Sequence, residues 1–362
     1  MFKEGKYERI GYKLYTEYPN FQKKHTSYCD PYQIGFLLGV INHFKFKDGR
    51  RIDNVLELGV NNGVTSLYML KEGSQRPDFK LYGIEIGTSD FYGNAVFSDA
   101  TPDELAHYHF HKGCTSFDIE KVLGENNEKK LDMVFIDAGH THPHPIIDLI
   151  HVIPFLHEKS IVLLHDVVDY MRPNAWGESF IFCAWHNEKY RTVSLDDQLK
   201  PNGHTTLGCI KIPKNKKELY STIEQIARTP FRAAPWVSFG ELRLGGLDEE
   251  HFFSLRLFME KYYDQDFAER IYNIFCANLK QYEDNFLLYL HETNFFNHIY
   301  KRTKRQRRDI TSIKNRLIKI EKSLGISKHR EHWAKRVYRR LGLRRVPGIH
   351  WVKRIFRRLG VK

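Results

Sequence analysis

Short apolar runs alternate with helix-like segments from residue 52 to residue 213, and this rhythm restricts the fold more than any other feature of the chain. The runs are IDNVLELG, FKLYGIEI, AHYHFHKG, LDMVFIDA, SIVLLHDV, YRTVSL and TTLGCIKI. Val, Ile and Leu dominate the fourth and fifth, as in central strands buried on both faces. Helix signals lie between the runs. At Thr101-Pro102-Asp103-Glu104, a capping threonine precedes a first-turn proline, with a glutamate three residues after the cap. Strands and helices in this order build a parallel sheet with right-handed crossovers. The last two runs lack a convincing helix between them and are expected to pair antiparallel at one edge. A leading helix is expected over 31–46.

The remaining chain divides by composition. Residues 1–51 read as an N-terminal helical lead-in to the 52–213 unit. Residues 214–300 read as a helical extension, with patterns near 216–228, 248–263 and 266–298. Residues 301–331 carry a short coiled-coil-like helix, in which Ile310, Ile313, Leu317, Ile320 and Leu324 follow 3-4-3-4 spacing. That seam suits self-association into a homo-oligomer or packing onto the body. Residues 332–362 hold a duplication.

The 362 residues are 41% hydrophobic, enough for a sizeable core. The most apolar run, Ile161 to Val168, is broken by His165 and Asp166, so no membrane span is expected. The start, MFKEGKYERIGYKLYTEYP, is too polar and aromatic for a secretory signal. The five cysteines include no CxxC and read as reduced thiols, which points to the cytoplasm. Charge is unevenly placed. Residues 301–362 carry 23 Lys and Arg against three acids, a net +20 in a chain of +12, so residues 1–300 are net −8. A mildly acidic body on a basic tail implies that the tail has an anionic partner of its own.

In VLELGVNNGVTSLYML, residues 55–70, a strand runs into a glycine turn and a helix start. Gly59 and Gly63 permit a tight turn and a close backbone approach to a ligand, and the helix start presents free N–H groups. Glu57 precedes the first glycine, and the next strand ends in Glu85, where a carboxylate can take the two hydroxyls of a ribose. No GxxxxGK[ST] phosphate loop is present. An acidic loop suits a cationic cofactor without phosphates, and S-adenosylmethionine is such a molecule.

These residues carry a resemblance. The sequence resembles class I S-adenosylmethionine-dependent methyltransferases, most closely the O-methyltransferase-type group that includes methyltransferase domain 24. The shared features are E-x-G-x-x-x-G (Glu57, Gly59 and Gly63), F-I-D-x-x-H (Phe135, Ile136, Asp137 and His140) and an apolar strand ending in His165-Asp166. The likeness covers roughly residues 30–213. It implies an α/β, Rossmann-like fold: a seven-stranded, mostly parallel sheet with an antiparallel last pair, followed here by the helical extension and the basic tail. It also implies that Glu57, Gly59, Asn61 and Gly63 hold the methionine end of S-adenosylmethionine. Glu85 would bind the ribose, and Asp137 would border the same pocket. Relatives often carry an acid after the glycine of the third motif. Here Cys114 follows Gly113, so adenine contact would pass to Thr115, Ser116 or backbone.

FIDAGHTHPHP, residues 135–145, places three histidines at alternate positions after an apolar strand. Methyl transfer to a hydroxyl needs the acceptor oxygen in line with the sulfonium methyl. It also needs loss of the hydroxyl proton, to a base or after acidification by a metal. Asp137 and Asp166 end adjacent strands and both reach the carboxyl edge of the sheet. With His140 and His165 beside them they could serve either route. His140 is the candidate base, because an unperturbed imidazole titrates near neutrality. The resemblance places a divalent cation, Mg²⁺ in metal-dependent relatives, at Asp137 and Asp166, although a histidine at 165 suits Mg²⁺ poorly. His142 and His144, flanked by Pro143 and Pro145, are expected to be exposed and solvated. Asp148 is expected to be structural.

In the tail, HWAKRVYRRLGL from 332 returns as HWVKRIFRRLGV from 350, with eight of twelve positions identical. On a helical wheel Trp333, Ala334, Val337, Tyr338 and Leu341 share one side, and Lys335, Arg336, Arg339 and Arg340 the other. Such a helix suits insertion in the plane of an anionic membrane surface. The sequence is therefore expected to encode a methyltransferase peripheral to the inner face of a membrane, acting on a sugar hydroxyl of a membrane-associated glycan or another small hydroxylated acceptor. A non-catalytic scaffold of a glycan-assembly complex is the other class of reading. A nucleic-acid methyltransferase is disfavoured by the acidic body and the absence of an Asn/Asp-Pro-Pro-aromatic motif.

Overall fold

The computed structural model describes residues 2–18, 24, 29–125, 130–167, 177–194, 204–231 and 247–292, with side chains to residue 282 in the last helix. The coiled-coil seam and the tandem repeat lie outside the described residues. In chain order the strands are β1 (Asn54–Leu58), β2 (Lys80–Glu85), β3 (Tyr108–Lys112), β4 (Leu131–Ile136), β5 (Leu156–Leu164), β6 (Lys189–Val193) and β7 (His204–Ile210). They form one sheet in the order β3-β2-β1-β4-β5-β7-β6. The first five run parallel, and β7 pairs antiparallel with both β5 and β6. Thus the seven expected strands and the antiparallel last pair are both present.

Every residue of β4 is buried. This explains its near-continuous apolar sequence, since a strand covered on both faces has no solvent side to leave polar. One face is covered by helices α1 (Lys6–Thr16), α2 (Pro31–His43), α3 (Val64–Gly73) and α4 (Asn94–Asp99), which enclose Phe36, Leu37, Leu67, Met69 and Phe135. After the short α5 (Pro102–Leu105), the other face is covered by α6 (Ile119–Glu125), α7 (His144–Val152) and α8 (Gly177–Ala184). Helices α9 (Lys216–Ala227), α10 (Glu249–Tyr262) and α11 (Gln265–Glu292) then share that same core, through Ile223, Phe252, Phe267 and Phe275. Each such fully buried side chain contributes about 1.5–3 kcal/mol. The helices after residue 214 are therefore continuous with the core of the sheet. Among the described residues, no helix is long and apolar enough to cross a membrane.

Thr101 and Glu104 form the reciprocal cap that their spacing predicts, although the helix they start is only four residues long. Asp30 caps α2 in the same way, with Gln33 returning the bond and Pro31 in the first turn. The segment before residue 52 is more than a lead-in. The buried Glu8 carboxylate accepts from Tyr190 Oη at 2.6 Å and from the Val193 amide at 3.0 Å, which ties α1 to the edge strand β6. Helices α1 and α2 also touch backbone to backbone. A β-carbon on Gly11 would lie 1.6 Å from the Gly35 carbonyl oxygen, and one on Gly39 would lie 2.2 Å from that of Tyr7. This crossing fixes where α2 begins, and with it the position of Cys29 immediately upstream.

Gly11→Ala should therefore lower stability by about 1–3 kcal/mol, the usual range for overpacking. Gly124→Ala, in α6 where a β-carbon meets nothing within 4 Å, is the control and should be neutral or mildly stabilising. Thermal melts followed by circular dichroism separate the two. Equal melting temperatures would show that the α1–α2 crossing relaxes without penalty.

Candidate active site

The strand order reverses between β1 and β4, the place where parallel sheets open a crevice at their carboxyl ends. Glu57 and Gly59 reach that crevice from β1, Glu85 from β2, Asp137 from β4, and His165 and Asp166 from β5. The residues of all three motifs thus converge on one edge.

Gly59 has φ 89°, and a β-carbon there would lie 2.2 Å from the Asp137 carbonyl oxygen. The Asp137 amide donates to the Leu58 carbonyl at 2.9 Å, and the Gly59 amide to that of Ile84 at 2.9 Å. At Gly63, with φ 85°, a β-carbon would lie 3.0 Å from Gly93 Cα. Besides the approach to a ligand that the sequence predicts, both glycines serve the fold. What they admit is neighbouring backbone, which holds the ends of β1 and β4 and the two loops together. The Glu85 carboxylate continues this stitching. Its oxygens accept from the Asn61 amide and from the Gly87 amide, each at 2.8 Å.

Glu57 is 1% exposed and accepts a short hydrogen bond from Ser66 Oγ. Burial pushes its carboxyl up to about 8, and the nearby negative charges of Asp137 and Glu85 push the same way. The three acids are thus gathered beside the glycine turn. Asn61, φ 51°, and Asp166, φ 53°, are the only non-glycine residues at positive φ among the described residues. Both border the pocket, and both belong to the two residue types that best tolerate the left-handed region. Thr115 starts the turn at 116–118: its Oγ1 accepts from the Phe117 amide at 3.3 Å, and its own amide donates to Asp118 at 2.9 Å. The Cys114 amide reaches the Glu85 carbonyl at 3.2 Å, so the third motif closes over the end of β2.

His140 is surrounded by carboxylates. Its Nδ1 lies 2.9 Å from Glu178 Oε1, and its Nε2 lies 3.6 Å from Asp166 and 4.0 Å from Asp137. Burial alone would push this imidazole down. The Glu178 carboxylate, supported by Asp137 and Asp166, overrides burial and raises it to about 9. The expectation of a histidine titrating near neutrality therefore needs correction, because the resting site holds His140 as an imidazolium. His165 is buried as well. Its Nδ1 lies 3.0 Å from Asp137 Oδ1 and 3.3 Å from Asp166 Oδ1, and the Asp137 carboxylate outweighs burial to raise it well above its ordinary value. Asp166 is held below the usual range, despite its burial, by His165 and His140.

Two residues of the site have no warning in the sequence. Glu178, fully buried on α8, follows a glycine whose amide donates to the His140 carbonyl at 2.7 Å. Cys29 belongs to a different stretch of chain from every motif, yet its Sγ lies 3.5 Å from His165 Nε2. The expectation for His142 is also corrected. It is 2% exposed, bonds the Thr229 carbonyl at 3.0 Å and meets the rings of Phe180 and Phe231 edge-on. His144 is half-buried rather than solvated. Asp148 is buried on α7, and burial pushes its carboxyl up to about 7.

Among the described residues, the side chains whose donor atoms converge as metal ligands would are Cys29, Asp137 and His165, within 4.8 Å of one another. Mg²⁺ takes oxygen ligands in near-octahedral geometry. A thiol sulfur, an imidazole nitrogen and a single carboxylate do not fit it.

Residues 56–167 match the family model of a methyltransferase domain. This stretch is a methyltransferase domain. It spans every motif residue named above and leaves out Cys29 and Glu178. No curated protein matches the chain. Solved structures similar to it include the O-methyltransferase TomG of Streptomyces achromogenes, with S-adenosylmethionine bound, at 18% identity and a TM-score of 0.38. That match covers 58% of this chain and 90% of the other. An O-methyltransferase of Bacillus cereus, in complex with S-adenosylhomocysteine, matches at 12% identity and a TM-score of 0.38, covering 55% and 89%. A TDP-rhamnose 3'-O-methyltransferase of calicheamicin biosynthesis matches at 15% identity and a TM-score of 0.30, covering 46% and 79%. Scores this low do not bear on the substrate or the site residues of this chain.

Glu57 also links the pocket to stability. Its carboxyl titrates at about 4.5 when unperturbed and at about 8 in the fold. Between those values the folded state holds the extra proton, so stability falls as pH rises. Glu57→Gln removes that titration, and its advantage over wild type in melting temperature should grow with pH across the window. A difference independent of pH would show that Glu57 is ionised in the fold.

Proposed function

We propose that this protein is an S-adenosylmethionine-dependent O-methyltransferase that acts on a sugar hydroxyl of a membrane-associated glycan or its lipid-linked precursor. One observation carries the donor half of this reading. Glu57, Glu85 and Asp137 come together around a glycine turn at the reversal point of a parallel sheet, within a methyltransferase domain. The Asp137 and Glu85 carboxylates favour a cationic ligand, and Glu57, holding its proton, offers that ligand a hydrogen-bonding carboxyl. In this reading, Glu57 faces the methionine end of the donor and Glu85 the ribose. Both Glu85 oxygens retain a lone pair beyond the amide bonds they accept.

The acceptor half rests on the ring formed by His140, His165, Asp137, Asp166 and Glu178, which offers donors and acceptors suited to a polyhydroxylated substrate. At neutral pH, His140 has its proton in place and donates toward the acceptor. Asp137 and Asp166 are the groups able to receive a proton from it.

Calorimetry with S-adenosylmethionine should show one site per chain. Donor turnover to S-adenosylhomocysteine, assayed with glycan extracts of the source cells, should fall about 100-fold or more in Asp137→Ala, the scale of a lost proton-transfer group. Donor binding without turnover in any extract would favour the scaffold reading, and absence of donor binding would end both.

The membrane half rests on sequence alone, because the repeat lies outside the described residues. Two tandem amphipathic units, each with a tryptophan and a row of cations, suit an anionic surface. Near such a surface each Lys or Arg contributes about 1 kcal/mol. Deletion of residues 332–362 should release the protein from vesicles rich in anionic lipid while turnover of a soluble acceptor persists. Unchanged vesicle binding after the deletion would rule out the anchor.

A further inference from the structure

We propose that Cys29, His165 and Asp137 form a binding site for a borderline-soft divalent cation of the zinc class, with one coordination position left open to the acceptor side of the crevice. The three side chains come from different parts of the chain: Cys29 from the residue before the cap of α2, Asp137 from the end of β4 and His165 from the end of β5. Their donor atoms all lie within 4.8 Å of one another. Cys29 is 6% exposed and His165 5%, so the site is screened from bulk solvent.

Distances point to the class of metal. The Cys29 Sγ to His165 Nε2 separation is 3.5 Å. A tetrahedral zinc ion, with Zn–S of about 2.3 Å and Zn–N of about 2.0–2.1 Å, spans its sulfur and nitrogen ligands by about 3.6 Å. A second observation is independent of the cysteine. His165 Nδ1 is buried, 3.0 Å from Asp137 Oδ1, with its hydrogen-bonding capacity unsatisfied. The ring stands between the thiol, 3.5 Å from its Nε2, and the Asp137 carboxylate, 3.0 Å from its Nδ1, so all three donors face one another. Sulfur, nitrogen and one carboxylate oxygen form the mixed donor set that zinc, cobalt and iron accept and that magnesium and calcium do not. Asp166, whose Oδ1 lies 3.3 Å from His165 Nδ1, stands beside the set as an outer partner.

The helix crossing described above supports the thiol. Gly11, Gly35 and Gly39 hold α2 at one fixed distance, and Asp30 caps it through bonds of 2.9 and 3.1 Å from the Tyr32 and Gln33 amides. Cys29 therefore enters the crevice from a rigid support. Three protein ligands with a vacant fourth position describe a catalytic rather than a structural zinc centre. A cation bound there would acidify a coordinated hydroxyl toward neutrality.

The metal proposal does not depend on the donor reading, and one preparation tests both. Full-length protein is stripped with a chelator and titrated with Co²⁺. Expected are one ion per chain, visible absorption of tetrahedral intensity and a near-ultraviolet thiolate-to-cobalt charge-transfer band. Zn²⁺ should displace the cobalt one for one, and Mg²⁺ should fail to do so at thousand-fold excess. Cys29→Ser should lose the charge-transfer band and bind Zn²⁺ at least ten-fold more weakly, while Cys183→Ser, at an exposed thiol, keeps both. Should Cys29→Ser not fold, Asp137→Asn should weaken cobalt binding ten-fold yet retain the band, since the sulfur remains. The proposal is overturned by absence of the band in the wild type, by its persistence in Cys29→Ser, or by displacement of cobalt by Mg²⁺ at comparable concentration. S-adenosylmethionine titrated into the same protein reads the donor pocket separately. A band without donor binding sinks the methyltransferase reading alone, and donor binding without a band sinks the metal alone.

Discussion

The carbonyl of Asp137 sits where a side chain on Gly59 would have to be. That one steric fact joins the ends of β1 and β4 at the point where the sheet reverses direction, and much of the site depends on it. Because the two strand ends meet there, the Glu57 carboxyl is enclosed beneath them and shielded from water. Because Asp137 is anchored by its amide to Leu58, its carboxylate is presented to His140 and His165 on a rigid support. The placement of both carboxyls traces back to a missing β-carbon.

The electrostatics of the crevice are coupled for the same reason. Five acids, Glu57, Glu85, Asp137, Asp166 and Glu178, are gathered with two histidines in a region of low solvent access. Like charges in such a space cannot all be ionised without compensation. The structure resolves this in two ways. Glu57 retains its proton, and His140 and His165 are held cationic between the remaining acids. A cationic ligand entering the crevice adds to a charge balance that already leans toward it.

The strands were legible because burial on both faces leaves a strong imprint in β4 and β5, and because caps such as Thr101–Glu104 have a fixed spacing. The convergence of Glu57, Glu85, Asp137, His165 and Asp166 was legible because each ends a strand of one parallel sheet, and such ends share an edge. What could not be read was supplied by long-range packing. Cys29 precedes a helix whose position is set by glycine contacts with α1, and no local pattern encodes that crossing. Glu178 follows residues with no motif, and its role depends on α8 docking beneath the His140 loop. His142 was misread for a related reason. Pro143 and Pro145 just after it suggest an exposed loop, whereas the helices after residue 214 return to cover it.

That covering has a consequence for how such a site diversifies. The Thr229 carbonyl accepts from His142 at 3.0 Å and also from Asn278 Nδ2, on α11, at 3.1 Å. The loop from Asp137 to His144 is thus moored at one end to the sheet and at the other to the helical layer. The first mooring carries the Asp137 carboxylate, and the second covers His142. Exchange of the helical layer alone can therefore reshape the far end of this loop while the strand ends that carry Asp137 and His165 stay as they are.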